Sequence, residues 1–289
     1  METSELLKKV RRIEIKTRGL SNNIFAGQYH SAFKGRGMAF SEVREYQFGD
    51  DIRDIDWNVT ARFNKPYIKV FEEERELTVM LLVDVSGSLE FGTSVQLKRE
   101  MLTEIAATLA FSAIQNNDKI GVIFFSDQIE KFIPPKKGRK HILYIIRELL
   151  DFRAESRKTN IGGAMEYLTN VMKRRCTAFL LSDFIDHQDF KNPMTIANRK
   201  HDLVAIQVYD KRVAELPAIG LMRVKDAETG EEQWIDTSSS RLRRAHSKAW
   251  REAQEKLRET LTKSNVDAVS VRTDEDYVKA LLTLFAKRN

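Results

Sequence analysis

Three short stretches of this chain concentrate oxygen-bearing side chains: Asp84-Val-Ser86-Gly-Ser88, Thr159-Asn160 and Ser182-Asp183. Asp84, Ser86, Ser88, Thr159 and Asp183 together offer two carboxylates and three hydroxyls. Hard oxygen donors of this kind suit Mg²⁺ (or Mn²⁺), which takes an octahedron of oxygens and keeps several waters. Hydroxyl ligands are neutral, so such an ion keeps much of its positive charge. The serines and the threonine would bind it directly, the two aspartates directly or through water. An open position on that ion would attract a carboxylate from outside. The chemistry expected is metal-dependent adhesion to a partner's Asp or Glu, with no bond cleaved. The structural alternative is that Ser86 and Ser88 cap a helix and Asp84 merely ends a strand.

The elements around these residues favour a shared site. Leu77–Val83 is a continuous apolar run broken only by Thr78, the mark of a strand buried on both faces. Similar runs follow at 119–125, 177–181 and 202–209, with a shorter one at 268–271. Residues 129–133 pair beside the second run and are ended by Pro134-Pro135. Helical spacing covers 94–116, 138–151, 161–174, 187–199, 240–263 and 274–287. This alternation predicts an α/β fold: an open, mostly parallel sheet with helices on both faces. In such sheets ligands sit outside the carboxyl ends of the strands, where Asp84 and Asp183 fall. A β-hairpin is expected at about 213–240, with strands at 221–224 and 233–236 around a Gly-bearing turn. Residues 1–19 read as a helix carrying Leu6, Leu7, Val10 and Ile13. Residues 20–40, with Gly27, Gly35 and Gly37, read as loop. The domains expected are an N-terminal region, 1–76, packed on a main domain, 77–289.

Composition narrows the class. The 289 residues are 42% hydrophobic and 31% charged, with 13 Gly and 5 Pro, which excludes collagen-like and wholly disordered chains. No apolar run approaches the ~20 residues of a membrane helix, and the N-terminus is polar, so neither a membrane segment nor a secretory signal is expected. One cysteine, Cys176, excludes an internal disulfide and suits a reducing, cytoplasmic setting. Net charge is 48 − 42 = +6, but its distribution says more. Residues 241–264 carry eight Lys or Arg against three Glu, and residues 41–58 carry six Asp or Glu against two Arg. Segregated acidic and basic faces favour a protein partner over nucleic acid.

Asp84, Ser86, Ser88, Thr159 and Asp183 resemble the metal-ion-dependent adhesion site of von Willebrand factor A domains. Ser41-Glu-Val-Arg-Glu-Tyr46, Gly49-Asp50, Asp54-Ile-Asp-Trp57 and Ala61-Arg62 resemble a bacterial family built on that domain, catalogued as domain of unknown function 58. The hairpin residues Asp226–Gly230 and Asp236 fit the same family. The resemblance implies the von Willebrand A-like fold, a divalent ion, and association with a MoxR-type AAA+ ATPase as adaptor or co-chaperone. That ATPase or its client would be the partner. Many relatives carry N-terminal membrane helices; this sequence shows none.

Other residues have competing readings. Arg44, Asp50, Arg53, Asp56, Trp57 and Arg62 are candidates for partner contact. Asp50, Asp51, Asp54 and Asp56 could form a second metal cluster, but a solvated or salt-bridged face with Ile52, Ile55 and Trp57 turned inward fits better. Arg44, Arg53 or Arg62 could instead hold the region on the α/β domain through bidentate pairs. The basic helix packs Leu242, Trp250, Leu257 and Leu261 on the sheet and leaves Lys and Arg to solvent; a nucleic-acid surface there is the alternative. The five histidines lack ligand spacing. Cys176 reads as a small buried hydrophobe. There is no Gly-x-x-x-x-Gly-Lys-Ser/Thr, no third Gly after Gly35-Arg-Gly37 and no Gly-x-Ser-x-Gly elbow. A haloacid-dehalogenase-type phosphotransferase would need a carboxylate where Ser86 stands. A metal-dependent hydrolase at the same site remains an alternative, without a visible general base. The chain is therefore expected not to be an enzyme.

Overall fold

The computed structural model describes residues 11, 37–74, 77–92, 97–227 and 229–288. Apart from Arg11, the helix read at 1–19 and the loop before Gly37 lie outside the described residues. Two compact units emerge, one within Phe33–Glu76 and the other from Leu77 onward.

The smaller unit is an antiparallel ribbon. β1 (Gly37–Glu45) pairs with β2 (Tyr67–Glu74), with a bulge between Phe40 and Glu42. A 3₁₀ turn (Ile52–Asp54) and α1 (Trp57–Phe63) connect them. The carboxylate of Asp51 accepts the Arg53 N–H to cap the turn, and Asp56 accepts from Asn58 and Val59 to cap α1. Asn64, at φ 53°, ends the helix. Two expectations need correction. Gly37–Phe40 is strand, not loop, because its partner lies some thirty residues away and no local pattern announces it. Ile52 and Trp57 are exposed, at 68% and 70%, and only Ile55 turns partly inward, bridging to Ile68. A small ribbon has no interior large enough for all three.

The larger unit is an α/β sheet of six strands in the order β10-β7-β6-β3-β4-β5. They are β3 (Thr78–Asp84), β4 (Lys119–Phe125), β5 (Ile129–Lys136), β6 (Thr177–Ser182), β7 (Asp202–Tyr209) and β10 (Asp267–Arg272). Every neighbouring pair is parallel except β4 with β5. The edge strand β5 does not stop at its prolines but runs through them. A register shift between Ile120 and Val122 accommodates Pro134 and Pro135, which need no ladder N–H on an edge. Gly121 makes this possible, since a Cβ there would lie 2.7 Å from the Ile133 carbonyl.

Helices cover both faces. Residues Met80, Leu82, Ile123 and Leu180 pack with α4 (Ile161–Val171), α5 (Lys191–Lys200) and the end of α7 (Ser240–Lys263) through Ile161, Met165, Met194 and Leu261. Successive strand residues point to opposite faces, so Val79, Leu81 and Val83 serve the other layer. That layer holds α2 (Lys98–Gln115), α3 (Arg139–Asp151) and α8 (Tyr277–Ala286). Thr108 on α2 meets the Tyr277 hydroxyl at 3.4 Å. A short α6 (Lys211–Ala214) leads to the hairpin of β8 (Leu221–Lys225) and β9 (Glu232–Asp236). Trp250 of α7 packs on Tyr209 with ring centres 5.6 Å apart.

Candidate metal centre

The chain leaves β3 for β4 on one side, while β6 returns on the other. The carboxyl ends of β3 and β6 thus flank the point where strand order reverses, the usual crevice of an open α/β sheet. Val83 pairs with Leu181, which sets Asp84 beside Ser182. The Ser182 hydroxyl donates to Asp84 Oδ2 at 2.5 Å, and the Ser86 N–H donates to Asp84 Oδ1 at 2.9 Å. Ser86 Oγ and Ser88 Oγ lie 3.1 Å apart. Ser86 precedes the 3₁₀ turn Gly87–Glu90 yet makes no side-chain cap, so the capping alternative is not realised.

Three hydrogen bonds, two of them backbone to backbone, fix the loop that carries Thr159. Gly87 N–H donates to the Arg157 carbonyl at 3.0 Å, Asn160 N–H to the Ser126 carbonyl at 2.9 Å, and Ile161 N–H to Asp186 Oδ2 at 2.8 Å. The loop is therefore tied to the Asp84 loop, to the end of β4 and to the Asp183 loop. Asn160, not Thr159, caps α4, accepting from Gly163 N–H at 2.8 Å. Thr159 is left 5% exposed, with a buried hydroxyl that has no hydrogen-bond partner among the described residues.

Asp183 follows β6 and is as buried as Asp84, each 1% exposed. Its Oδ2 lies 2.6 Å from Lys98 Nζ, itself 2% exposed at the start of α2. Lys98 was not foreseen as a site residue. Its signal was a lysine three, four and seven residues before Met101, Leu102 and Ile105, on an apolar helix face. Ser182 was missed because a strand-end serine is an ordinary sight. Phe184, just after Asp183, sits at φ 59°, which bulky residues rarely adopt. The Phe184 N–H donates to Ser182 Oγ at 2.9 Å, which helps to hold that turn.

Burial, and next the charge of Asp183, raise the Asp84 carboxyl well above its ordinary range; the hydrogen bonds from Ser182 and Ser86 pull it back only in part. The centre therefore holds two crowded carboxylates, one ammonium and an unsatisfied hydroxyl. These residues fit a small hard cation, which would relieve both the carboxylate repulsion and the orphaned Thr159 oxygen. Among the described residues no three His, Cys, Asp or Glu side chains converge.

A profile of the family described as "Protein of unknown function DUF58" matches residues 42–256. The chain belongs to the DUF58 family. An uncharacterized protein of Mycobacterium tuberculosis, Rv1480, is 28% identical over all of this DUF58 chain and 91% of its own length. Uncharacterized protein YeaD of Bacillus subtilis is 26% identical over 45% of this chain and 29% of its own. Among solved structures, the conserved hypothetical protein BatB of Bacteroides thetaiotaomicron superposes with a TM-score of 0.48 at 16% identity, covering 73% of this chain and 98% of that one. The sheet order and the single antiparallel edge strand are those of the von Willebrand A-like fold.

The remaining candidate residues of this DUF58 chain lie in the smaller unit. Arg44 and Asp50 are engaged with each other, through bonds of 2.8 and 2.7 Å, and Asp50 also accepts the Gln47 N–H. Asp56 caps α1 and lies 3.6 Å from Lys69. Arg53 and Arg62 are exposed, like Trp57. Asp50, Asp51 and Asp56 are thus caps or ion-pair partners. Cys176 is buried, and burial pushes its thiol up to about 12.

Proposed function

We propose that this DUF58 chain is a non-enzymatic, divalent-metal-dependent protein-interaction module. Ser86, Ser88, Thr159, Asp84 and Asp183 would hold Mg²⁺ (or Mn²⁺). The ion would supply an electrophilic position for a partner's Asp or Glu. The observation that carries this reading is the buried Thr159 hydroxyl left without a partner beside α4's own cap. Buried hydroxyls are otherwise satisfied, and leaving one bare costs about 1–3 kcal/mol. Charge supports it too. With both carboxylates ionised, they and the one ammonium carry a net −1, so a dication that displaces the proton favoured by burial at Asp84 would raise the centre to +1 and make it attractive to an anion. The partner we infer from the family resemblance is a MoxR-type AAA+ ATPase or its client, with this chain acting as adaptor in the cytoplasm. Among the described residues no helix is long and apolar enough to cross a membrane.

The test is capture from a lysate of the source cell with the wild type and Asp84→Ala, each in Mg²⁺ and in EDTA, with bound proteins identified by mass spectrometry. An AAA+ ATPase or an acidic client retained only by wild type in Mg²⁺ is the expected result. The same proteins in all four lanes would show that the metal centre is not the binding surface.

A further inference from the structure

A cleft of about 450 Å³ adjoins the metal centre. It shares Ser86 and Gly87 with the metal loop, and its wall adds Arg99, Arg153, Ser156 and Arg157. Among the described residues none that lines it is acidic. Arg153 and Arg157 are exposed and make no ion pair among the described residues. The Arg99 guanidinium donates to the Phe152 carbonyl, which holds it at the back of the wall.

The wall is pinned rather than loose. The Arg157 carbonyl accepts the Gly87 N–H at 3.0 Å from one side. From the other, the Glu130 carboxylate accepts the Glu155 and Ser156 N–H groups, each at 3.2 Å. A fixed backbone that presents the exposed guanidinium groups of Arg153 and Arg157 is suited to an anion. Guanidinium binds carboxylate in a planar, two-bond fork, among the stronger pairings available in water. The volume suits one acidic side chain with its stretch of backbone.

Ser86 belongs to both places. A peptide with one carboxylate on the ion would therefore lay its neighbouring residues over this cleft. We propose that the cleft is a second acidic subsite, and that the partner carries two acidic side chains a few residues apart. One would go to the ion and the other to Arg153 and Arg157. This rests on the adhesion reading above. A paired-acid peptide is the ligand that uses both.

The full chain is titrated in Mn²⁺ with fluorescein-labelled Gly/Ser peptides. Each carries two Asp separated by zero to four Gly, and each has a mate with the second Asp replaced by Asn. The double variant Arg153→Gln/Arg157→Gln, whose side chains are exposed, is titrated alongside. Manganese binding is followed by electron paramagnetic resonance. At least one two-Asp peptide is expected to bind wild type about tenfold tighter than its mate, with the preference gone in the variant and manganese binding unchanged. Metal-dependent binding with no preference at any spacing, or a preference that survives in the variant, overturns the subsite and leaves adhesion standing. A variant that weakens both peptides equally overturns it also, as a general charge effect. No binding of either peptide to the manganese-loaded chain overturns the adhesion reading and the subsite with it.

Discussion

Lys98 supplies a positive charge inside a centre that we expect to hold a dication. An unpaired buried charge is costly, so the 2.6 Å pair with Asp183 stabilises the metal-free chain. Replacing Lys98 by Met would leave Asp84 and Asp183 uncompensated. In EDTA, Lys98→Met should lose about 3–5 kcal/mol of stability. Mg²⁺ should then restore more stability to the variant than it adds to wild type, because the ion meets one more net negative charge. Urea denaturation with and without Mg²⁺ measures both increments, and equal increments would refute the role. A second prediction concerns His201. It is fully buried, its Nδ1 accepts the Cys176 N–H at 3.4 Å, and its Nε2 has no partner among the described residues. Burial first, then the charges of Lys200 and Arg175, lower its pKa to about 4. The unfolded chain therefore takes up a proton near pH 6.5 that the folded chain refuses until about 4. The stability from this neutral ring is present above pH 6.5 and is lost as pH falls through that window, by at most about 3 kcal/mol. His201→Gln should flatten the slope between pH 7 and 4.5 in urea midpoints. At this scale the placement of Asp84 and Asp183 at the ends of buried strands was legible from the apolar runs that precede them. Lys98 was not, because a lysine beside an apolar face ordinarily reaches out to water.

The hairpin and the metal loop constrain one another. A Cβ built on Gly87 would stand 2.6 Å from the Ala227 carbonyl and 3.1 Å from Arg157 Cβ. The hairpin turn thus abuts the loop that carries Ser86 and Ser88. Gly87→Ala should force backbone to move and lower stability by about 1–3 kcal/mol. It should also speed trypsin cleavage in the β8–β9 hairpin relative to wild type. Unchanged cleavage and melting would show that the contact is slack. The buried strands were readable because parallel strands covered on both faces are apolar throughout. The ribbon of β1 and β2 was not, because its pairing is distant in sequence. The run of β5 through Pro134-Pro135 depends on Gly121 of the neighbouring strand, which no reading of β5 alone contains.

Asp84, Ser86, Ser88, Thr159 and Asp183, with Lys98 and the arginine cleft, all belong to the unit from Leu77 onward. That unit also contains the whole six-stranded sheet and its core. A fragment of residues 77–289 should therefore fold and bind Mn²⁺ within about threefold of the full chain's affinity, a shift under ~0.7 kcal/mol. Loss of binding in a folded fragment would show that residues before Leu77 contribute to metal binding. The smaller unit leaves Phe48, Ile52, Trp57 and Phe63 more than 60% exposed, more apolar surface than so short a segment needs to display. If that face meets the partner, the fragment should keep the metal but capture less partner from lysate than the full chain.

The sequence by itself determined the fold class and the oxygen-rich ends of two strands. Burial on both faces writes itself as unbroken apolar runs, and ligands in open α/β sheets gather where such runs end. Only the tertiary structure decided which charges share the centre. Lys98 reaches Asp183 across 85 residues, and Ser182 reaches Asp84 across 98. Contacts of that range follow from strand order and helix packing, and neither leaves a trace in local spacing.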